Sequence, residues 1–138
     1  MRVLLDTNII LDFFLEREPF FHDASELFND IATRQIEGFI TASSVTDIFY
    51  ICRRQTQNLE QSRQILTTTL ALLSICPVDR EILETALKSS LADFEDAVQI
   101  ACAEAQNLEA IITRNPRDFQ TVNVPVMSAT QMMEQLKD

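Results

Sequence analysis

Short apolar runs that alternate with longer stretches of helical periodicity constrain this chain more tightly than any other feature. Arg2 to Asp6 reads as a buried strand, and Gly38–Thr41, Ile75–Val78, Ala110–Thr113 and Val124–Met127 repeat the pattern. Between them apolar residues recur at three- and four-residue spacing. Ile9, Ile10, Phe13 and Phe14 follow the first run, and Leu27, Phe28 and Ile31 lie in a helix that Pro19 is placed to open. Val45, Ile48, Phe49 and Cys52 stripe Ser43 to Gln55, and Leu59 to Leu73 follows suit. Asp79 and Asp93 stand where helix caps belong, and Ser128-Ala129-Thr130-Gln131 has the form of a capping box. Strands alternating with helices require right-handed crossovers, hence a mostly parallel sheet covered on both faces. In such sheets ligands bind beyond the carboxyl ends of the strands.

Acids collect just past those ends. The first run stops abruptly on Asp6, followed by Thr7 and Asn8. Thr41-Ala42-Ser43-Ser44 follows the second, with Asp47 one turn on. The helix opened by Asp93 carries Glu95 and Asp96 in its first turn, and the fourth run leads into Thr113-Arg114-Asn115-Pro116-Arg117-Asp118. Each acid has a local explanation. Asp6 is a strand end meeting water, Asp47 pairs with Ser44 in a capping box, and Asp93 caps its helix. Glu95 and Asp96 suit the helix dipole, and Asp118 suits a turn. None of these explanations predicts a shared location, whereas a parallel sheet does. Clustered carboxylates repel one another, and a site that gathers them usually holds a cation.

Composition narrows the classes. With 138 residues, 46% of them apolar, the chain has room for one domain, 1–138, with a substantial core. One glycine and four prolines leave little for linkers. The N-terminus lacks a signal-peptide pattern, and no apolar stretch approaches the roughly 20 residues that cross a bilayer. Cys52, Cys76 and Cys102 are scattered, as expected of small core residues in a reducing, cytoplasmic compartment. A single histidine, His22, excludes a His-rich metal site. The net charge of −10 excludes a broad basic footprint for nucleic acid, but not a small acidic site that reaches phosphate through bound cations.

Oxygen donors without a Cys or His pair suit Mg²⁺ or Mn²⁺ rather than zinc. Such an ion acidifies its water and steadies charge on a phosphate, which favours phosphodiester hydrolysis without a protein nucleophile. Two other acid-lined classes fit less well. A receiver-type phosphoacceptor needs a lysine after a late strand, and only Lys88 and Lys137 are present. An Asp-nucleophile phosphatase needs a second acid at position 8, which is Asn.

Leu5-Asp6-Thr7-Asn8, the Asp96-Ala97-Val98-Gln99-Ile100-Ala101-Cys102-Ala103 run and Ile112-Thr113-Arg114-Asn115 with Asp118-Phe119 together resemble the signatures of a PIN domain. The resemblance is closest to VapC-like ribonuclease toxins and extends from Arg2 to about Met133. It implies a three-layer α/β/α sandwich with a central five-stranded parallel sheet, and a Mg²⁺- or Mn²⁺-dependent endoribonuclease. It also implies a small antitoxin partner and a homodimer. Asp6, Asp47 and Asp96 fall at the catalytic acids, the second being more usually Glu, and Asp93 and Asp118 are further metal-ligand candidates. Many relatives carry Asp where this chain has Asn115. Thr7, Asn8, Ser43, Thr113 and Asn115 look like residues that hold the carboxylates in place. Arg53, Arg54, Arg114 and Arg117 are near in sequence, and Arg114 and Arg117 are expected to hold RNA phosphate. The alternative is a catalytically impaired PIN-like module that acts by binding a protein.

Overall fold

The computed structural model describes residues 1–119 and 123–137. Its strands are β1 (Arg2–Leu5), β2 (Glu37–Thr41), β3 (Ser74–Cys76), β4 (Ala110–Ile112) and β5 (Val126–Met127). Its helices are α1 (Thr7–Phe14), α2 (Phe21–Ala32), α3 (Ala42–Thr56), α4 (Leu59–Leu72), α5 (Arg80–Leu87), α6 (Phe94–Ala105) and α7 (Ala129–Lys137). The strands form one five-stranded sheet in the order β3-β2-β1-β4-β5, and every pairing is parallel.

Alternation along the strands divides the core into two layers. Val3, Leu5, Ile40, Ala110 and Ile112 face one side, where Ile9, Ile10, Leu27, Ile48, Ile65 and Met132 from α1, α2, α3, α4 and α7 cover them. Leu4, Phe39 and Ile111 face the other, against Ile82 and Ala86 of α5 and Ala97, Val98, Ala101 and Cys102 of α6. The result is the expected α/β/α sandwich. Both faces of β1 and β4 are covered, which is why these strands are continuously apolar. Cys52, Cys76 and Cys102 are buried and unpaired. Burial pushes the Cys76 thiol up to about 12 and the Cys102 thiol to about 11.

Element ends differ from the expected ones for physical reasons. Asp6 leaves β1 because its side chain turns to accept the Thr7 N–H and cap α1. Pro77, which has no N–H for a ladder, ends β3 at Cys76. Pro19 lies in a turn ahead of α2 rather than inside it, the Phe20 N–H donating to Arg17. At Ser128 the capping box forms in both directions, Ser128 N to Gln131 Oε1 at 2.8 Å and Gln131 N to Ser128 Oγ at 3.1 Å.

The chain builds β2 and β3 to one side of β1, then crosses to β4 on the other. The switch falls between β1 and β4, where an open parallel sheet leaves a crevice beyond its carboxyl edge.

Candidate active site

Asp6 stands at that switch. Its N–H donates to Ile112 O of β4 at 2.9 Å, which fixes the backbone on the sheet. Its Oδ1 accepts from Thr7 N at 2.7 Å and from Gln99 Nε2 at 2.9 Å, and its Oδ2 accepts from Thr113 Oγ1 at 2.8 Å. All three donors are neutral, and Asp6 makes no ion pair among the described residues.

Five further acids share the crevice: Asp47, Asp93, Glu95, Asp96 and Asp118 line the same open cavity of about 500 Å³. The expected capping box at Ser44 does not form. Thr41 is the cap of α3, its Oγ1 accepting from Ser44 N at 3.2 Å, so Asp47 has no capping role and faces the cavity. Asp93 does cap α6, accepting from Asp96 N at 3.1 Å, and lines the cavity as well. Asp118 arrives on a 3₁₀ turn, Pro116–Asp118.

The acids raise one another's affinity for protons. Burial, then the charges of Asp93, Asp6, Glu95 and Asp118, push Asp96 up to about 7. Burial, then Asp47, Asp6 and Asp93, raise Glu95, which also shares a hydrogen bond with Asp47. Glu95 is thus a member of the cluster that its place in a first helical turn had explained away; Thr7 Oγ1 reaches its Oε1 at 3.5 Å. Arg54 is the one cation that lines the cavity among the described residues. An oxygen-only, strongly anionic set of this kind fits a hard divalent cation.

Thr113 Oγ1 donates to Asp6, Thr7 Oγ1 lies 3.5 Å from Glu95 Oε1, and Asn8 and Asn115 line the cavity, Asn8 also accepting from Arg17 at 3.3 Å. Ser43 does not line it; its hydroxyl bonds Thr41 at 3.1 Å at the start of α3. Arg114 is engaged elsewhere. Its guanidinium is paired with the buried carboxylate of Asp12 and lies over the Phe20 ring, in a neighbouring cavity, and it does not line the acidic one. Arg117 is exposed beside the site and Arg53 is exposed on α3, and neither lines it. Gln99 and Tyr50 were not singled out by spacing. Gln99 reads as one more position on a buried helix face, and Tyr50 as a surface aromatic.

Among the described residues, the tightest grouping of potential ligand atoms is elsewhere: His22, Asp23 and Glu26 on α2. His22 and Glu26 form an exposed pair one turn apart, and Asp23 accepts from Thr130. That is an ordinary solvated face.

A parallel sheet in this order, with carboxylates gathered at the switch, defines an α/β/α domain built to present an acidic site. The family model for the PIN domain matches residues 2–117, and the chain belongs to that family. No curated protein matches its sequence significantly. Solved structures similar to it include a toxin–antitoxin complex from Klebsiella pneumoniae (23% identity, 92% of this chain and 97% of that one, TM-score 0.67). FitAcB from Neisseria gonorrhoeae is similar at 18% identity, 93% and 98% coverage and TM-score 0.69. VapC20 of Mycobacterium tuberculosis, described as a sarcin–ricin loop cleaving toxin, is similar at 11% identity, 79% and 86% coverage and TM-score 0.66. No helix among the described residues is long and apolar enough to cross a membrane.

Proposed function

We propose that residues 1–138 form one cytoplasmic, divalent-metal-dependent endoribonuclease domain, the toxin of a toxin–antitoxin pair. The observation that carries this reading is the convergence of Asp6, Asp47, Glu95 and Asp96, with Asp93 and Asp118, on a single cavity at the sheet's switch point. Membership of the PIN family and the likeness to a toxin–antitoxin complex and to a sarcin–ricin loop cleaving toxin support it.

The six acids would hold Mg²⁺ or Mn²⁺, which when bound acidifies a water and neutralises charge on the reacting phosphate. Asp6 presents a fixed carboxylate, with Thr113 and Thr7 orienting the cluster. Burial and the neighbouring carboxylates raise both Asp96 and Glu95, a mutual repulsion that a bound cation would offset. Arg54 and Tyr50, one turn apart on α3 at the cavity wall, replace Arg114 as the RNA contacts, with exposed Arg117 nearby. A small antitoxin protein and a second copy of the chain are the proposed protein partners.

The test is cleavage of single-stranded RNA by purified protein with Mg²⁺ or Mn²⁺. Activity should vanish in EDTA and in Asp6→Asn and Asp96→Asn. Cleavage that persists in both variants overturns the assignment. The amide at Asn115 favours a second reading, a module that binds a small protein without turnover. That reading predicts no cleavage with any divalent ion but a tight complex with the protein product of a neighbouring reading frame.

A further inference from the structure

Gln99 is 1% exposed, a long polar side chain in the middle of an otherwise apolar helix face. Its Nε2 donates to Asp6 Oδ1 at 2.9 Å, while its Oε1, equally buried, finds no hydrogen-bond partner among the described residues. The amide cannot turn over to relieve this, because Oε1 would then face the Asp6 carboxylate, acceptor against acceptor. A leucine or methionine would suit a helix face whose next turn carries buried Cys102 and Ala103, without leaving a buried oxygen unmet. A lasting local cost of this kind marks a group kept for something other than stability.

What Gln99 supplies is visible at Asp6. Oδ1 already accepts the Thr7 N–H, and the Gln99 donor fills its second lone pair. Thr113 takes one lone pair of Oδ2. One lone pair, on Oδ2, is left for an incoming ligand. The contrast with Asp12 is informative: that carboxylate is met by the guanidinium of Arg114 and its charge is neutralised, whereas Asp6 is held as firmly by donors that leave its charge intact.

We infer that Gln99 is a positioning residue that locks the Asp6 carboxylate so that a single Oδ2 lone pair is presented to a divalent cation. The inference rests on the metal-site reading above. It acts through Asp6, not by contact with metal or substrate, and it accounts for a buried oxygen that core packing leaves unexplained.

The test compares wild type with Gln99→Met, which keeps the volume and removes the donor, and with Gln99→Leu in case methionine packs poorly. Two quantities are measured: Mn²⁺ affinity by electron paramagnetic resonance, and melting temperature in EDTA. The expected result is affinity weakened roughly 10- to 100-fold with a melting temperature close to that of wild type, since losing the hydrogen bond to Asp6 and losing the unmet oxygen offset each other. Variants that bind Mn²⁺ as tightly as wild type overturn the positioning role and leave the metal site standing. Weaker binding accompanied by a lower melting temperature in both variants overturns it in favour of a core role. Wild type that binds no Mn²⁺ overturns the metal-site reading and this inference together.

Discussion

Arg114 closes on Asp12 across 102 positions of sequence, its Nε 2.8 Å from Oδ2 and its terminal nitrogen meeting Oδ1. Its Cζ lies 3.9 Å from the centroid of the Phe20 ring. Asp12 is fully buried, and Arg17 adds a second, longer approach at 4.0 Å. This pair ties α1 to the loop that leaves β4, so it braces the two elements that carry Asp6 and Thr113.

Arg114→Ala should therefore act on stability. Leaving a buried carboxylate without its main partner costs about 3 kcal/mol, which lowers the melting temperature by about 10 °C in a domain of this size. Mn²⁺ affinity and the salt dependence of RNA binding should stay near wild type once the variant is held below its transition. Thermal denaturation and a salt titration check the two halves. An unchanged melting temperature with a lost salt dependence would return Arg114 to the RNA.

The acids of the site were legible in sequence because a rule of topology, not of neighbours, locates them: parallel strands bring Asp6, Asp47, Asp96 and Asp118 to one edge however far apart they lie. Gln99 and Asp12 were not legible. Each sits inside a helical stretch whose spacing says core, Gln99 between Val98 and Ile100 and Asp12 between Leu11 and Phe13. Their partners lie 93 and 102 positions away. The partner of Arg114 was hidden for the same reason: in sequence its nearest acid is Asp118, in space it is Asp12. Helix ends were blurred by the scarcity of glycine, since Glu16, Arg34, Gln57 and Asn107 adopt the left-handed conformation that glycine usually marks.

Gln57 offers a test of that last point. It ends α3 at φ 52° and is exposed, so its side chain packs against little while its backbone is strained. Gln57→Gly should stabilise the protein by about 1 kcal/mol, the cost of a left-handed residue with a Cβ, less some gain in unfolded-state freedom. Urea denaturation measures it. A loss of stability would show that the Gln57 side chain contributes more than the strain costs.

Asp96 sets a pH dependence with a definite sign. Its folded value is raised from 3.8 to about 7, so between those limits the folded state keeps a proton that the unfolded state gives up. Stability then falls as pH rises, and Asp96's favourable contribution is gone above about 7. In EDTA, the melting temperature of wild type should drop more between pH 5 and pH 8 than that of Asp96→Asn, and saturating Mg²⁺ should narrow the difference. Parallel pH profiles for the two proteins would mean that Asp96 titrates normally and that the acids are farther from mutual contact than the fold places them.

The RNA contact proposed for α3 separates into charge and stacking. Tyr50 is 67% exposed on the cavity wall, its ring edge-on to Phe49 with centroids 5.4 Å apart, and Arg54 lies one turn further on. An exposed aromatic beside a cation is the pairing that single-stranded RNA engages by base stacking and phosphate contact. Arg54→Ala should lower the slope of log affinity against log salt by about 0.7, one phosphate's worth for a single strand. Tyr50→Ala should weaken binding by about 1–3 kcal/mol with the slope unchanged, and Tyr50→Phe should retain most of the affinity. Fluorescence anisotropy with a short unstructured RNA, in Asp6→Asn to prevent cleavage, reads both. Equal losses from Tyr50→Phe and Tyr50→Ala would assign the tyrosine's part to its hydroxyl, and an unaltered slope in Arg54→Ala would move the phosphate contact to another cation, Arg53 or Arg117, each exposed and next in sequence to a residue that lines the cavity.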